Sequence, residues 1–131
     1  MSAPAQVAVA IVSHSPEIAR GTAAMVHQMV GSDVRVGYCG GNADGGLGTD
    51  VETIRAMLED VWTHAGVAVL VDLGGAEMNT EMAIEMLSED KRAGFTICNA
   101  AIVEGAVMAA TQASTGSGLQ EVQQAAEDAI G

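Results

Sequence analysis

Basic residues are scarce: five Lys and Arg stand against seventeen Asp and Glu in 131 residues, for a formal charge of −12, and none follows Arg92. A nucleic-acid backbone is bound by releasing its counterions to Lys and Arg, so this balance excludes a nucleic-acid partner. It points instead to basic protein surfaces, which a one-signed field steers toward the chain; solubility alone is the plainer account of the same charge. Aromatics are nearly absent, with one Trp, one Tyr and one Phe, too few to stack a flavin ring. Two cysteines, Cys39 and Cys98, are too few for a zinc site or a disulfide framework, and no metal is expected. No stretch approaches the eighteen or so uncharged apolar residues of a membrane span, so no membrane partner is expected either. The apolar opening from Val7 to Val12 has no basic segment before it and no small-residue cleavage pattern after it. It reads as a first strand rather than a signal peptide, which makes a cytoplasmic location the expectation. The chain also lacks a Gly-Lys-Ser/Thr phosphate loop and a Gly-x-Gly-x-x-Gly after its first strand, so nucleotide binding is disfavoured.

What is present suits one globular unit over 1–131, with 49% hydrophobic residues to fill a core. Residues 6–13 form a continuous apolar run, and Val34–Cys39, Val67–Asp72 and Phe95–Cys98 repeat the type. Each is rich in β-branched residues and too short for a helix, so four buried strands are predicted. Between them, Ile18, Thr22, Met25, Val26 and Met29 share one face of a helix over 16–30, and Val51, Ile54, Leu58 and Val61 share one face of 50–64. Over 77–89, Met78, Met82 and Met86 form a stripe read as core, with a partner groove as the alternative, beside a stripe of Glu77, Glu81, Glu85 and Glu89 read as a solvated face. A small-residue helix around Ala101–Ser114 follows, then a Gly116-Ser117-Gly118 break and a last amphipathic helix carrying Leu119, Val122, Ala126 and Ile130. Ser15-Pro16 supplies a cap and a first-turn proline, and Thr49-Asp50-Val51-Glu52 matches a capping box.

The order βαβαβαβαα with buried-type strands predicts an α/β fold: an open, mostly parallel four-stranded sheet in the order 2-1-3-4 with helices on both faces. Cys39 and Cys98 then end strands on opposite edges, about 14 Å apart, beyond disulfide reach. Ligands of such sheets gather beyond the carboxyl ends of the strands where the winding reverses. Here that place lies between Val12-Ser13-His14-Ser15 and Val71-Asp72-Leu73-Gly74-Gly75.

His14 closes the first strand and Asp72 the third, so neighbouring strands about 4.8 Å apart hold an imidazole beside a carboxylate. A carboxylate that accepts the proton of one ring nitrogen leaves the other unprotonated and nucleophilic, and phosphorus is an electrophile for which histidine is a good temporary acceptor. Transferring phosphoryl oxygens need donors, which glycine-rich turns and helix N-termini supply through backbone N–H groups. Three such turns converge: Ser15-Pro16, the loop from Gly40 to Thr49, and Leu73-Gly74-Gly75-Ala76. The plainer alternatives are a helix-capping role for His14 and for Asp72. His27 reads as a solvated helix residue, and His64 as ending the second helix, where a protonated ring suits the macrodipole.

Ile11-Val12-Ser13-His14-Ser15, Gly48-Thr49-Asp50, the run from Asp72 to Ala83, and Ile102-Val103-Glu104-Gly105-Ala106 resemble the DhaM family, the phosphotransferase subunits of phosphoenolpyruvate-dependent dihydroxyacetone kinases. The resemblance covers nearly the whole chain. That family belongs with the IIA domains of mannose-type sugar phosphotransferase systems, which share an α/β fold, a phosphorylated histidine after the first strand and a homodimeric habit. The resemblance implies that His14 carries the phosphoryl group covalently, with no other cofactor, and that Asp72 orients its ring. It implies the phosphocarrier HPr as donor and, as acceptor, ADP held in the nucleotide-binding kinase subunit, which works with a dihydroxyacetone-binding subunit. The turns and the resembling segments together nominate Ser15, Thr49, Gly74, Gly75 and Asn79 as phosphoryl-binding. The family usually carries serine where Gly75 stands, so a hydroxyl contact to the phosphoryl group falls to Thr49 or Ser15. Longer members append an HPr-like domain and part of the upstream enzyme; this chain stops before such an extension and is expected to use separate donors. Two other readings stay open: a IIA component of a mannose-type sugar transporter, and a non-catalytic flavodoxin-like module that holds a small anion or flavin.

Overall fold

Apolar runs of three to six residues alternate with helices, and in the computed structural model, which describes residues 6–129, they assemble into a single sheet. In chain order the elements are β1 (Ala8–Ser13), α1 (Pro16–Val30), β2 (Val36–Gly40), α2 (Val51–Val61), β3 (Val67–Val71), α3 (Gly74–Glu85), α4 (Glu89–Arg92), β4 (Phe95–Ile97), α5 (Ile102–Ala113) and α6 (Leu119–Glu127). All four strands are parallel, in the order β2-β1-β3-β4. Val12 pairs with Cys39 on one side and Val71 on the other, so β1 runs one residue past the end of β3, and His14 and Asp72 leave the sheet at the same edge.

Every residue of β1 is buried, and its period of two divides the interior. Val9 and Ile11 join a cluster with Ala19, Ala23 and Val26 of α1 and the alanines of α5. Ala8, Ala10 and Val12 join Ile54, Leu58 and Val61 of α2 with Ala76 and Ala83 of α3 on the other face. Helices therefore cover both faces, as predicted.

Phase, rather than period, is where the helices differ from expectation. In α1 the buried residues are Ala19, Thr22, Ala23 and Val26, while Ile18, Met25 and Met29 are exposed. In α3 they are Ala76, Thr80 and Ala83, while Met78, Met82 and Met86 lie in solvent, which corrects their reading as core. Small side chains let a helix backbone approach the sheet closely, and the bulky residues one step around the helix are then turned outward. The glutamates at 77, 81, 85 and 89 are exposed, as expected. The third helix also begins at Gly74 rather than 77 and ends at Glu85, with α4 as a separate turn. The cap of α2 is Asp50, whose carboxylate accepts from Thr53 N–H at 2.9 Å and Thr53 O–H at 2.7 Å, so the capping box opening at Thr49 does not form. His64 lies past the end of α2, its ring edge-on to Trp62 at 4.5 Å. Cys39 and Cys98 are free thiols, pushed up by burial to about 11 and about 12, respectively. Ile130, assigned to the last helix, lies outside the described residues.

Candidate functional site

β1 and β3 end one residue before His14 and Asp72, which leaves both side chains beyond the carboxyl edge of the sheet where the winding reverses. The two groups meet there: His14 Nδ1 lies 2.9 Å from Asp72 Oδ1, with both side chains partly buried. The carboxylate is enclosed by donors. Its Oδ1 also accepts from Leu73 N–H at 2.8 Å, and its Oδ2 accepts from Ser13 O–H at 2.6 Å and His14 N–H at 3.0 Å. Partial burial pushes the Asp72 carboxyl up, but the hydrogen bonds from Ser13, the His14 ring, the His14 backbone and Leu73 outweigh it and hold the group below its ordinary value.

An ionised carboxylate only accepts, so His14 Nδ1 carries a proton, and in the neutral ring Nε2 keeps its lone pair. Nε2 faces the first turn of α3: a Cβ added at Gly75 would sit 3.3 Å from it. The intrahelical bonds of α3 begin with Ala76 N–H to Leu73 C=O, which leaves the N–H groups of Gly74 and Gly75 among the unpaired donors of a helix start. The positive end of the α3 dipole is thus beside a nucleophilic nitrogen.

The glycine-rich loop closes the other side. Gly48 N–H donates to His14 C=O at 2.9 Å and Gly41 N–H to Ser13 C=O at 3.3 Å. A Cβ at Gly40 would come within 2.6 Å of Ser15 C=O, so only glycine allows this approach. Asn42 pins the loop internally, its Oδ1 accepting from Asp44 and Gly46 N–H and its Nδ2 donating to Leu47 C=O.

The sequence-nominated residues divide accordingly. His14, Asp72 and Gly75 meet directly, and Gly74 lies beside them in the same helical turn. Asn79 Nδ2 donates to Thr49 Oγ1 at 2.6 Å, which ties the glycine-rich loop to α3 one turn beyond Gly75. Ser15 Oγ accepts from Ile18 N–H as the cap of α1, so the capping role belongs to Ser15 rather than to His14. Leu73, and not Asp72, stands at the cap position of α3. Ser13 was given no role by the sequence, yet it is fully buried, donates to Asp72 and accepts from Ser15 N–H at 3.0 Å. Its signal was being the one polar residue in the run from Val7 to Ser13. Among the described residues no group of three His, Cys, Asp or Glu could hold a metal ion.

Comparison with known proteins places the chain in a family. The family described as the PTS system fructose IIA component matches residues 8–123. The chain is 34% identical over 106 residues to the phosphoryl donor subunit DhaM of a PEP-dependent dihydroxyacetone kinase 2 from Listeria innocua serovar 6a, covering 81% of this chain and 85% of that one. It is 31% identical over 115 residues to the phosphoryl donor subunit DhaM of Escherichia coli strain K12, of which it spans only 24%. A crystal structure described as unknown function protein EF1359 superposes with a TM-score of 0.82 at 29% identity, over 96% of each chain. The native dihydroxyacetone kinase of C. freundii matches with a TM-score of 0.61 at 17% identity over 95% of this chain and 25% of that one, a likeness of fold alone.

Proposed function

The chain belongs to the family of PTS system fructose IIA components, and on that premise we propose that it carries a phosphoryl group on His14 Nε2 as the phosphoryl donor subunit of a PEP-dependent dihydroxyacetone kinase. The relatives named above are subunits of that kind, which favours the kinase over a sugar transporter. One observation carries the reading: Asp72 accepts a hydrogen bond from the Nδ1–H of His14 at 2.9 Å while Nε2 points at the start of α3 beside Gly75.

The chemistry balances without a proton leaving the ring. The Nε2 lone pair attacks the phosphorus of the incoming donor as the bond from phosphorus to the donor breaks. The imidazole becomes cationic, with its Nδ1 proton still directed at Asp72, whose negative charge compensates. In the return step the acceptor's oxygen attacks phosphorus, the P–N bond breaks, and its electron pair returns to Nε2. The Gly74 and Gly75 N–H groups serve the phosphoryl oxygens, and the Thr49–Asn79 pair braces the two walls of the site. Ser15 Oγ and Thr49 Oγ1 each accept a hydrogen bond, from Ile18 N–H and Asn79 Nδ2, which leaves their O–H groups to donate to the phosphoryl oxygens beside these backbone groups.

The donor in this reading is HPr, and the acceptor is ADP in the nucleotide-binding subunit, which hands ATP on for dihydroxyacetone bound in a third subunit, all in the cytoplasm. Self-association into a homodimer has a face available in the apolar groove of about 450 Å³ lined by Met25, Met29, Val103, Val107 and Met108. The decisive experiment combines the protein with phosphoenolpyruvate, the first enzyme of the relay and HPr. It should gain an acid-labile, alkali-stable phosphate, and ATP should form only when the ADP-loaded subunit is added. Efficient discharge to a mannose-type permease component, with none to the kinase subunits, would replace this reading by the transporter one.

A further inference from the structure

The exposed methionines of α3 are aligned with the imidazole. Gly75, Asn79, Met82 and Met86 are spaced i, i+4, i+7 and i+11, one line along a helix of 3.6 residues per turn. The line starts beside His14 Nε2 at Gly75, passes Asn79, bonded to Thr49, and continues through two side chains each 55% exposed. Met78, 66% exposed, stands alongside. At the site end the strip is widened by Leu73 on the turn into α3 and Leu47 in the glycine-rich loop, also exposed. Its outer border is acidic: Glu77, Glu81 and Glu85 occupy the next stripe, and α3 contains no Lys or Arg. Met78, Glu81, Met82 and Glu85 line a shallow groove of about 280 Å³. Packing does not explain this pattern, since Ala76, Thr80, Ala83 and Leu87 already fill the sheet side.

Resting on the phosphocarrier reading above, we propose that this strip, from Leu47 and Leu73 at the rim to Met82 and Met86, is the docking face for the protein that exchanges the phosphoryl group. That partner presents an apolar patch edged by Lys and Arg. The charge argues for it, because a chain of −12 with a glutamate border attracts a cationic rim and repels an acidic one. Continuity with the site argues for it too, because a surface seated on Met82 brings its own phosphoryl-bearing atom toward Gly75 and Nε2. Methionine suits such a face, since its flexible thioether adapts to more than one partner. Donor and acceptor approach the same nitrogen and therefore occupy the strip in turn.

The test compares two donors. Single-turnover labelling is measured with phosphorylated HPr, which must dock, and with phosphoramidate, a small molecule that need not. The Met78→Ser/Met82→Ser double variant, altered only at exposed positions, should slow labelling by HPr roughly tenfold or more and leave labelling by phosphoramidate unchanged. Glu81→Lys/Glu85→Lys should slow the HPr reaction most at low salt. Unchanged HPr rates in both double variants overturn the proposal. Equal slowing with both donors also overturns it, since the strip would then be acting on the site itself. Conversion of a dimer to a monomer by the methionine changes, seen in sedimentation, assigns the strip to a second copy and overturns it as well. A wild-type protein that neither donor labels at His14 refutes instead the phosphocarrier reading on which this rests.

Discussion

Replacing Asp72 by Asn alters one atom and leaves the shape intact, so it isolates what the carboxylate contributes. All four groups around the carboxylate are donors: the His14 ring N–H and Leu73 N–H at Oδ1, and Ser13 O–H and His14 N–H at Oδ2. An amide has one accepting oxygen and one donating nitrogen, so it cannot satisfy both sides. With its NH₂ toward Ser13, the hydroxyl can turn to accept, but the His14 backbone N–H keeps only its longer 3.3 Å contact to Oδ1 and the ring N–H meets a neutral oxygen. A hydrogen bond to a charged group is worth about 1.5–3 kcal/mol, and each 1.4 kcal/mol is roughly tenfold in rate. This orientation therefore slows transfer about 10- to 100-fold. With its NH₂ toward the ring, the amide donates to Nδ1 and moves the proton to Nε2, which removes the nucleophile; a wrong tautomer in a comparable histidine–carboxylate pair costs on the order of 10⁴ in rate. Rapid-quench kinetics with phosphorylated HPr measures the loss, and ¹⁵N shifts of the imidazole report which nitrogen holds the proton. Transfer at the wild-type rate with the proton still on Nδ1 would refute the assigned role of Asp72.

His14→Ala should abolish labelling while thermal unfolding changes little, because the ring lies at the sheet edge outside both core clusters; His27→Ala and His64→Ala should transfer normally, and labelling retained without His14 would remove the central claim. Ser13→Ala strips a donor from Asp72 and leaves Ser15 N–H unpaired, which should cost about 1–3 kcal/mol of stability, read as a lower urea midpoint, and slow transfer less than Asp72→Asn does. The Asp72 carboxyl is held below its ordinary value of 3.8, so its contribution to stability is fully present above that value and is lost as pH falls through the folded one. The urea-midpoint gap between wild type and Asp72→Asn should accordingly be constant near neutrality and shrink below about pH 4; a gap that widens in acid would contradict this.

Much of the site was legible because strand ends in a parallel sheet are a one-dimensional problem. Once the apolar runs ending at Ser13 and Val71 are read as neighbouring strands, His14 and Asp72 must emerge at the same edge within reach of each other, and the topology that makes them neighbours follows from the alternation of strands and helices. The start of α1 was equally local, since Ser15-Pro16 needs only its own backbone to act. The hydroxyl of Ser13 was not legible, because its value lies in joining Asp72, 59 residues away, to Ser15. The Thr49–Asn79 pair and the bond from Gly48 N–H to His14 C=O were hidden for the same reason.

The amino-acid sequence by itself determined the four parallel strands, their order, and the meeting of the His14 imidazole with the Asp72 carboxylate. Only the tertiary structure decided which way the helices turn. In α1 and α3 small and bulky apolar residues recur with the same period one step apart, so either face could pack. The one carrying Ala19 and Ala23, or Ala76 and Ala83, is buried because it lets the backbone come closest to the sheet. That choice turned Met78, Met82 and Met86 from apparent core into an exposed strip leading to His14.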